Sequence, residues 1–186
     1  MNDLSHALRD LTALFDGRGL VYAVMGGLAV RAYGIPRPTY DIDFTVAISR
    51  ERLPELFASV TALGYTVPDE FRSGWVDQVG GLPLIKFRLY LADRGVDIDI
   101  FLSESAFQES LLSRRRLEEV DARKVWLVSP EDLVLLKLLA NRPRDIADVG
   151  DVLFTQGQLD EAYMRTWAKK LEVLPRLEAA LANQPL

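Results

Sequence analysis

The chain has 186 residues, 49% hydrophobic and 26% charged, which suits one globular domain or one core with a helical appendage. A net charge of −5 does not draw nucleic acid to the surface as a whole, no apolar run is long enough to span a membrane, and the first residues do not read as a secretory signal, so a cytoplasmic protein without membrane contact is expected. With no cysteine and a single histidine, His6, disulfides and thiolate chemistry are excluded, a serine–histidine–acid triad is disfavoured, and any bound metal must be held by oxygen.

Residues 3–17 place Leu4, Leu8, Leu11 and Leu14 on one side of a helix, which Gly17-Arg-Gly ends. Val21 to Val24 reads as a short buried strand, and Gly26-Gly27 leads into about two helical turns before Gly34. Ile35 to Tyr40 carries two prolines and is irregular. From Asp41 the pattern alternates with period two: Ile42, Phe44 and Val46 face one way, Asp41, Asp43 and Thr45 the other. Ser49 caps a helix reaching about Leu63, and the Gly-rich stretch from Arg72 to Pro83 is irregular.

Leu84–Leu91 and Val96–Leu102 read as two strands joined by a turn at Ala92-Asp-Arg-Gly95. A helix at about 104–116 presents Arg114, Arg115 and Arg116 as a solvated face, and a strand follows at Lys124–Val128. Ser129-Pro-Glu-Asp132 combines a serine cap, proline at the first helical position and early acids, a strong helix start. The remainder reads as helix broken near Pro143, Gly157 and Pro175. The expected organisation is an α+β core over residues 1–128 and a helical C-terminal region over 129–186.

Chemistry concentrates in the aspartates. Side chains two apart on a strand emerge on one face roughly 6.6 Å apart, so Asp41 and Asp43 repel unless the face is wet or a cation sits there. Asp97 and Asp99 repeat the pattern on a second strand, although aspartate is a poor strand former. If the two strands are neighbours, their acids merge into one site, and magnesium, which takes one or two carboxylates together with phosphates and water, relieves the repulsion. Gly26-Gly27 at a strand-to-helix junction lets a phosphate approach the free amides of a helix start. It is not a Walker A loop, since no Gly-Lys-Ser/Thr follows.

The run Gly26-Gly27-Leu-Ala-Val-Arg-Ala-Tyr-Gly, followed by Arg37-Pro-Thr-Tyr-Asp41-Ile-Asp43, resembles the signature of the DNA polymerase beta-like nucleotidyltransferase superfamily. The stretch from Ser129 through Lys137, Arg142, Asp145 and Asp148 is similar to the AbiEii-type bacterial nucleotidyltransferases, several of which are toxins paired with an antitoxin. The resemblance spans roughly residues 20–150. It implies a mixed sheet flanked by helices, with Asp41, Asp43 and a third acid binding Mg2+ (or Mn2+). Asp99 is the preferred third acid and Asp97 the reserve. Gly26, Gly27, Arg37, Thr39 and Lys137 would contact a nucleoside triphosphate, whose nucleotidyl group passes to a hydroxyl with loss of pyrophosphate. The acceptor (RNA, protein or a small molecule such as an aminoglycoside) and a cognate antitoxin partner are left open.

Each supporting residue also has a plainer reading: Arg37 as a loop arginine, Lys137 as a lysine snorkelling to water, Asp145 and Asp148 as helix caps. Asp41-Ile-Asp-Phe-Thr45 formally matches an aspartate-nucleophile phosphatase, but there the apolar strand precedes the first aspartate and here it follows. A calcium loop needs irregular backbone, which Ile42 and Phe44 contradict. The alternative of another class is a non-catalytic nucleotidyltransferase-like binding module or antitoxin.

Overall fold

The computed structural model describes residues 3–91, 94–120 and 122–183. α1 (Asp3–Gly17) buries Leu4, Ala7, Leu8, Leu11 and Phe15; Phe15, and not the half-buried Leu14, completes the apolar side. His6 lies on this helix 3.0 Å from Asp10. β1 (Tyr22–Met25) begins one residue later than the pattern suggests, leaving Val21 exposed, and runs directly into α2 (Gly26–Tyr33). β2 (Asp41–Val46) follows the proline-rich loop. Phe44 is fully buried against Phe15 and Tyr22, with ring centroids 5.2 and 6.1 Å away, a burial worth about 2–3 kcal/mol.

The expected helix from Ser49 is a 3-10 turn, Arg50–Arg52, and then α3 (Leu53–Ala62), whose second residue is the proline that favours a helix start. Ser49 makes no side-chain cap. β3 (Tyr65–Thr66) and α4 (Asp69–Arg72) fill the interval before the stretch from Arg72 to Pro83 that reads as irregular, and β4 (Asp77–Val79) lies within that stretch. β4 and β5 (Leu82–Leu91) form a hairpin through Gly80-Gly81, with φ of 58° and 77°, the left-handed pair that a two-residue turn requires. β6 (Arg94–Leu102) pairs with β5 in antiparallel register up to Leu91 opposite Arg94. The first two residues of the expected turn, Ala92 and Asp93, lie outside the described residues.

α5 (Ala106–Ser113) is shorter than expected and capped by Ser105. The arginine run is therefore not a solvated helix face. Arg114 stacks 3.8 Å from the Tyr163 ring centroid and lies 3.4 Å from Glu131, Arg115 covers Trp126 at 4.6 Å, and Arg116 opens β7 (Arg116–Val120). β8 (Arg123–Leu127) pairs with β7 and, in parallel, with β1. α6 (Pro130–Ala140) starts as expected: Ser129 accepts from the Asp132 amide and Pro130 holds the first position. α7 (Pro143–Gln156), α8 (Glu161–Lys170) and α9 (Leu174–Ala182) follow. Among the described residues no helix is long and apolar enough to cross a membrane.

The strands form one mixed sheet in the order β3-β5-β6-β2-β1-β8-β7, with β4 added on β5. β2 lies inside it, antiparallel to β1 and parallel to β6. α6 is buried along most of its length and packs against α2, α7 and α8, which brings its lysine to the level of the acidic strands.

Candidate active site

The parallel pairing of β2 with β6 sets Asp41 opposite Asp97 and Asp43 opposite Asp99. Paired residues project to the same side, and neighbouring strands lie ~4.8 Å apart, so the two acidic rows form one face. Asp41 and Asp97 are exposed, whereas Asp43 and Asp99 are half-buried. Burial, then the charges of Asp41 and Asp99, push the Asp43 carboxyl up to about 7, against the pull of Lys137 and Arg142. Burial also raises Asp99, with Lys86 opposing. Lys86 stands between Asp77 at 3.8 Å and Asp99 at 3.7 Å, while Arg88 forks onto both oxygens of Asp97. Asp97 is thus committed to an arginine, and Asp99 is the acid beside Asp43.

The two glycines serve the carboxylates themselves. A methyl group at Gly26 would stand 1.8 Å from Oδ2 of Asp43, and φ there is +63°. A methyl at Gly27 would meet Oγ1 of Thr39 at 2.4 Å. Thr39 is buried, and its hydroxyl donates to Oδ1 of Asp41 at 2.6 Å. Asp43 and Thr39 occupy the space that side chains at the two glycines would need, so the glycines let the acidic strand lie close to the start of α2.

Opposite the acids stands a buried ionic network. Lys137 Nζ lies 2.9 Å from Asp145 and 2.8 Å from Asp148, its side chain 7% exposed. Arg37 donates from Nε and Nη2 to the two oxygens of Asp148, each at 2.7 Å, tying the proline-rich loop to α7. Arg142 donates from Nε to Asp145 at 2.6 Å, although its side chain is 71% exposed. Burial alone would raise Asp145 and Asp148, but hydrogen bonds from Arg142 and Lys137 to the first, and from Arg37 and Lys137 to the second, hold both below the usual carboxylate range. Lys137 is therefore not snorkelling and Arg37 is not a free loop arginine. Asp145 accepts from the Arg142 amide and so caps α7 while also forming the ion pairs.

Three cations against two carboxylates leave this wall with surplus positive charge facing the acidic row. Between them lies a polar cleft of about 290 Å³, lined by Gly27, Arg37, Asp41, Asp43, Lys137 and Arg142 among others. Tyr40 and Arg144 also line it; the sequence marks Arg144 only as a local basic group beside Arg142 and assigns neither residue to the site, because nothing there shows that residues 40 and 144 meet. Arg144 donates to the Pro38 carbonyl, which accounts for the meeting. A narrower apolar cleft of about 60 Å³ adjoins at Asp43 and is walled by Met25, Leu82, Phe101, Leu133 and Leu136.

An oxygen-only donor set suits magnesium or manganese, and a crowded acid whose carboxyl rises to about 7 fits a site completed by a cation. Among the described residues no group of three or more histidine, aspartate or glutamate side chains is placed to hold a metal ion.

Comparison with known proteins matches this architecture. The solved structure of ANT(2")-Ia in complex with adenylyl-2"-tobramycin has a TM-score of 0.56 at 20% identity, covering 93% of this chain and 95% of that one. An antigenic nucleotidyltransferase-like protein from Paracoccidioides brasiliensis has a TM-score of 0.50 at 20% identity, covering 94% and 89%. The lincosamide antibiotic adenylyltransferase LnuA, lincomycin-bound, has a TM-score of 0.50 at 16% identity, covering 78% and 93%. At such identities the likeness shows the fold alone. A sequence search of the curated proteins gives no match. The family described as "Nucleotidyl transferase AbiEii toxin, Type IV TA system" matches residues 7–185, so the chain belongs to the AbiEii nucleotidyltransferase family.

Proposed function

We propose that this nucleotidyltransferase uses Mg2+ (or Mn2+) and a nucleoside triphosphate, and transfers the nucleotidyl group to a hydroxyl acceptor as the toxin of a toxin–antitoxin pair. The observation that carries the reading is the register of β2 on β6, which brings Asp41, Asp43 and Asp99 onto one face; of these, Asp41 and Asp43 line the cleft opposite Lys137 and Arg142, with Asp97 beside them. Asp41, Asp43 and Asp99 would hold a divalent ion, which would supply positive charge to phosphate oxygens that the carboxylates otherwise repel. The triphosphate lies in the polar cleft, and its base is directed to the adjoining apolar cleft.

Arg142 and Arg144, on the cleft wall, bind phosphate oxygens. Lys137 acts mainly through Asp145 and Asp148, holding Arg142 and Arg37 in place. Thr39 fixes the rotamer of Asp41, and Gly26 gives Asp43 its seat. The acceptor oxygen bonds to the α-phosphorus while the bond to pyrophosphate breaks, and the hydroxyl proton passes to Asp99 and then to water. Fixed donors and charges that need no rearrangement during the step provide the acceleration.

The test is to follow label from each α-phosphate-labelled triphosphate, with magnesium, into the RNA, protein and small-molecule fractions of a lysate. Wild type should label one fraction and Asp43→Ala none. If no fraction takes up label with wild type, the catalytic reading fails and the non-catalytic binding module replaces it.

A further inference from the structure

We propose that two copies of this chain pair through the outward face of α7, helix against helix and antiparallel, about a two-fold axis at Gly150. The inference is independent of nucleotidyl transfer. At 3.6 residues per turn, Pro143, Ile146, Ala147, Gly150 and Phe154 share one side of α7, and Gly157 just past its end continues the line. All six are exposed, Ile146 to 43% and Phe154 to 66%. None has a charged or polar side chain, although a surface helix ordinarily turns such groups to water. The four charged residues of α7 are placed elsewhere: Asp145 and Asp148 are buried in the ionic network, Arg144 reaches the Pro38 carbonyl, and Asp151 is half-buried. No residue of the stripe lines the polar cleft, so the cleft of each copy stays open in the pair.

Three features of the stripe select a second copy as its occupant. Gly150 sits inside the helix, where glycine costs about 1 kcal/mol relative to alanine. Its φ is not positive, and a methyl group there would meet nothing within 4 Å, so neither the backbone nor packing within the chain calls for glycine. The close approach of another backbone does. The spacing is also self-complementary. In an antiparallel pair crossing at Gly150, Ile146 faces Phe154 of the second copy and Pro143 faces its Gly157, and both contacts repeat on the other side, as a two-fold interface requires. The ends of the stripe match in charge as well. Arg142 and Arg144 stand at its start, Asp160 and Glu161 beyond its finish, and antiparallel order sets the basic end beside the acidic one with the helix dipoles opposed. One helix pair ~21 Å long covers less than the ~1,200–2,000 Å² of a standard interface, so the dissociation constant should be on the order of micromolar.

Sedimentation velocity of the full chain over a micromolar concentration series tests this. Wild type should pass from monomer to dimer as concentration rises. Phe154→Ser, which removes the largest contact, and Gly150→Arg, which sets two like charges on the axis, should each weaken the dimer roughly tenfold or more, with circular dichroism checking that both fold. The chain has no cysteine, so single cysteines report the geometry directly. Gly150→Cys should oxidise to a linked dimer, because the crossing brings the two Cα atoms within the ~4–7 Å that a disulfide spans. Leu63→Cys, exposed but off the stripe, should stay monomeric under the same oxidant. In a mixture, Ile146→Cys should link to Phe154→Cys faster than either links to itself, which parallel helices would not allow. A wild-type monomer throughout the series, a dimer that neither variant weakens, or linkage at residue 150 no faster than at residue 63 overturns the proposal and leaves the stripe to a partner of another sequence. None of these readouts needs turnover, so their failure leaves nucleotidyl transfer standing.

Discussion

A methyl group added at Gly26 would stand 1.8 Å from Oδ2 of Asp43, at a backbone angle of +63° that side-chain-bearing residues adopt at a cost of about 1–2 kcal/mol. Gly26→Ala should therefore lower the melting temperature and abolish nucleotidyl transfer together, since Asp43 must move to make room. Thr39→Val is expected to separate the two effects. It keeps the shape but removes the hydroxyl that donates to Asp41, so transfer should fall roughly 10- to 100-fold with little change in melting, and Thr39→Ser should recover most of it. The acids and glycines were legible in the sequence because both belong to short, ordered patterns. Their mutual contact was not, since nothing in the chain's order shows which side chain fills the space over a glycine.

α7 is held to the rest of the protein by charge as much as by packing. Lys137→Met would leave Asp145 and Asp148 without their shared cation in a buried setting, a loss of about 3–5 kcal/mol. At ~2–4 °C per kcal/mol for a chain of this size, the melting temperature should drop by roughly 6–20 °C. The same pair governs acid behaviour. Both carboxyls titrate below their usual range in the folded state, so their stabilisation is complete above the unfolded value of ~4 and disappears as pH falls through the lower folded values. Denaturant titrations at a series of pH values should show stability falling steeply below about pH 4. Asp148→Asn should start less stable at neutral pH and fall less steeply. Asp132 is shifted upward by burial, so it does not contribute to that acid loss. Elements with strong periodicity or caps (α1, β2, β5, β6 and α6) were readable in outline. β3, β4 and β7 were not, because two to five residues carry too little alternation and their pairing depends on distant strands.

At the scale of the molecule, net charge says little about function. The −5 of the chain coexists with a cleft that has acids on one wall and surplus cations on the other. Magnesium alone should raise the melting temperature in proportion to RT ln(1 + [Mg]/Kd), and Asp43→Ala should remove most of the gain; a melting curve that ignores magnesium in wild type would count against the metal site. The merger of the two acidic rows follows from topology, since β2 and β6, far apart in sequence, become parallel neighbours inside the sheet.

That central placement has a kinetic consequence. β2 is hydrogen-bonded along both flanks, to β1 and to β6. Its amides between Ile42 and Val46 should be among the last to take up deuterium, opening only when the whole chain opens. Heat inactivation and loss of structure should then keep the same clock, since the strand that carries the acids has no local route by which to fray.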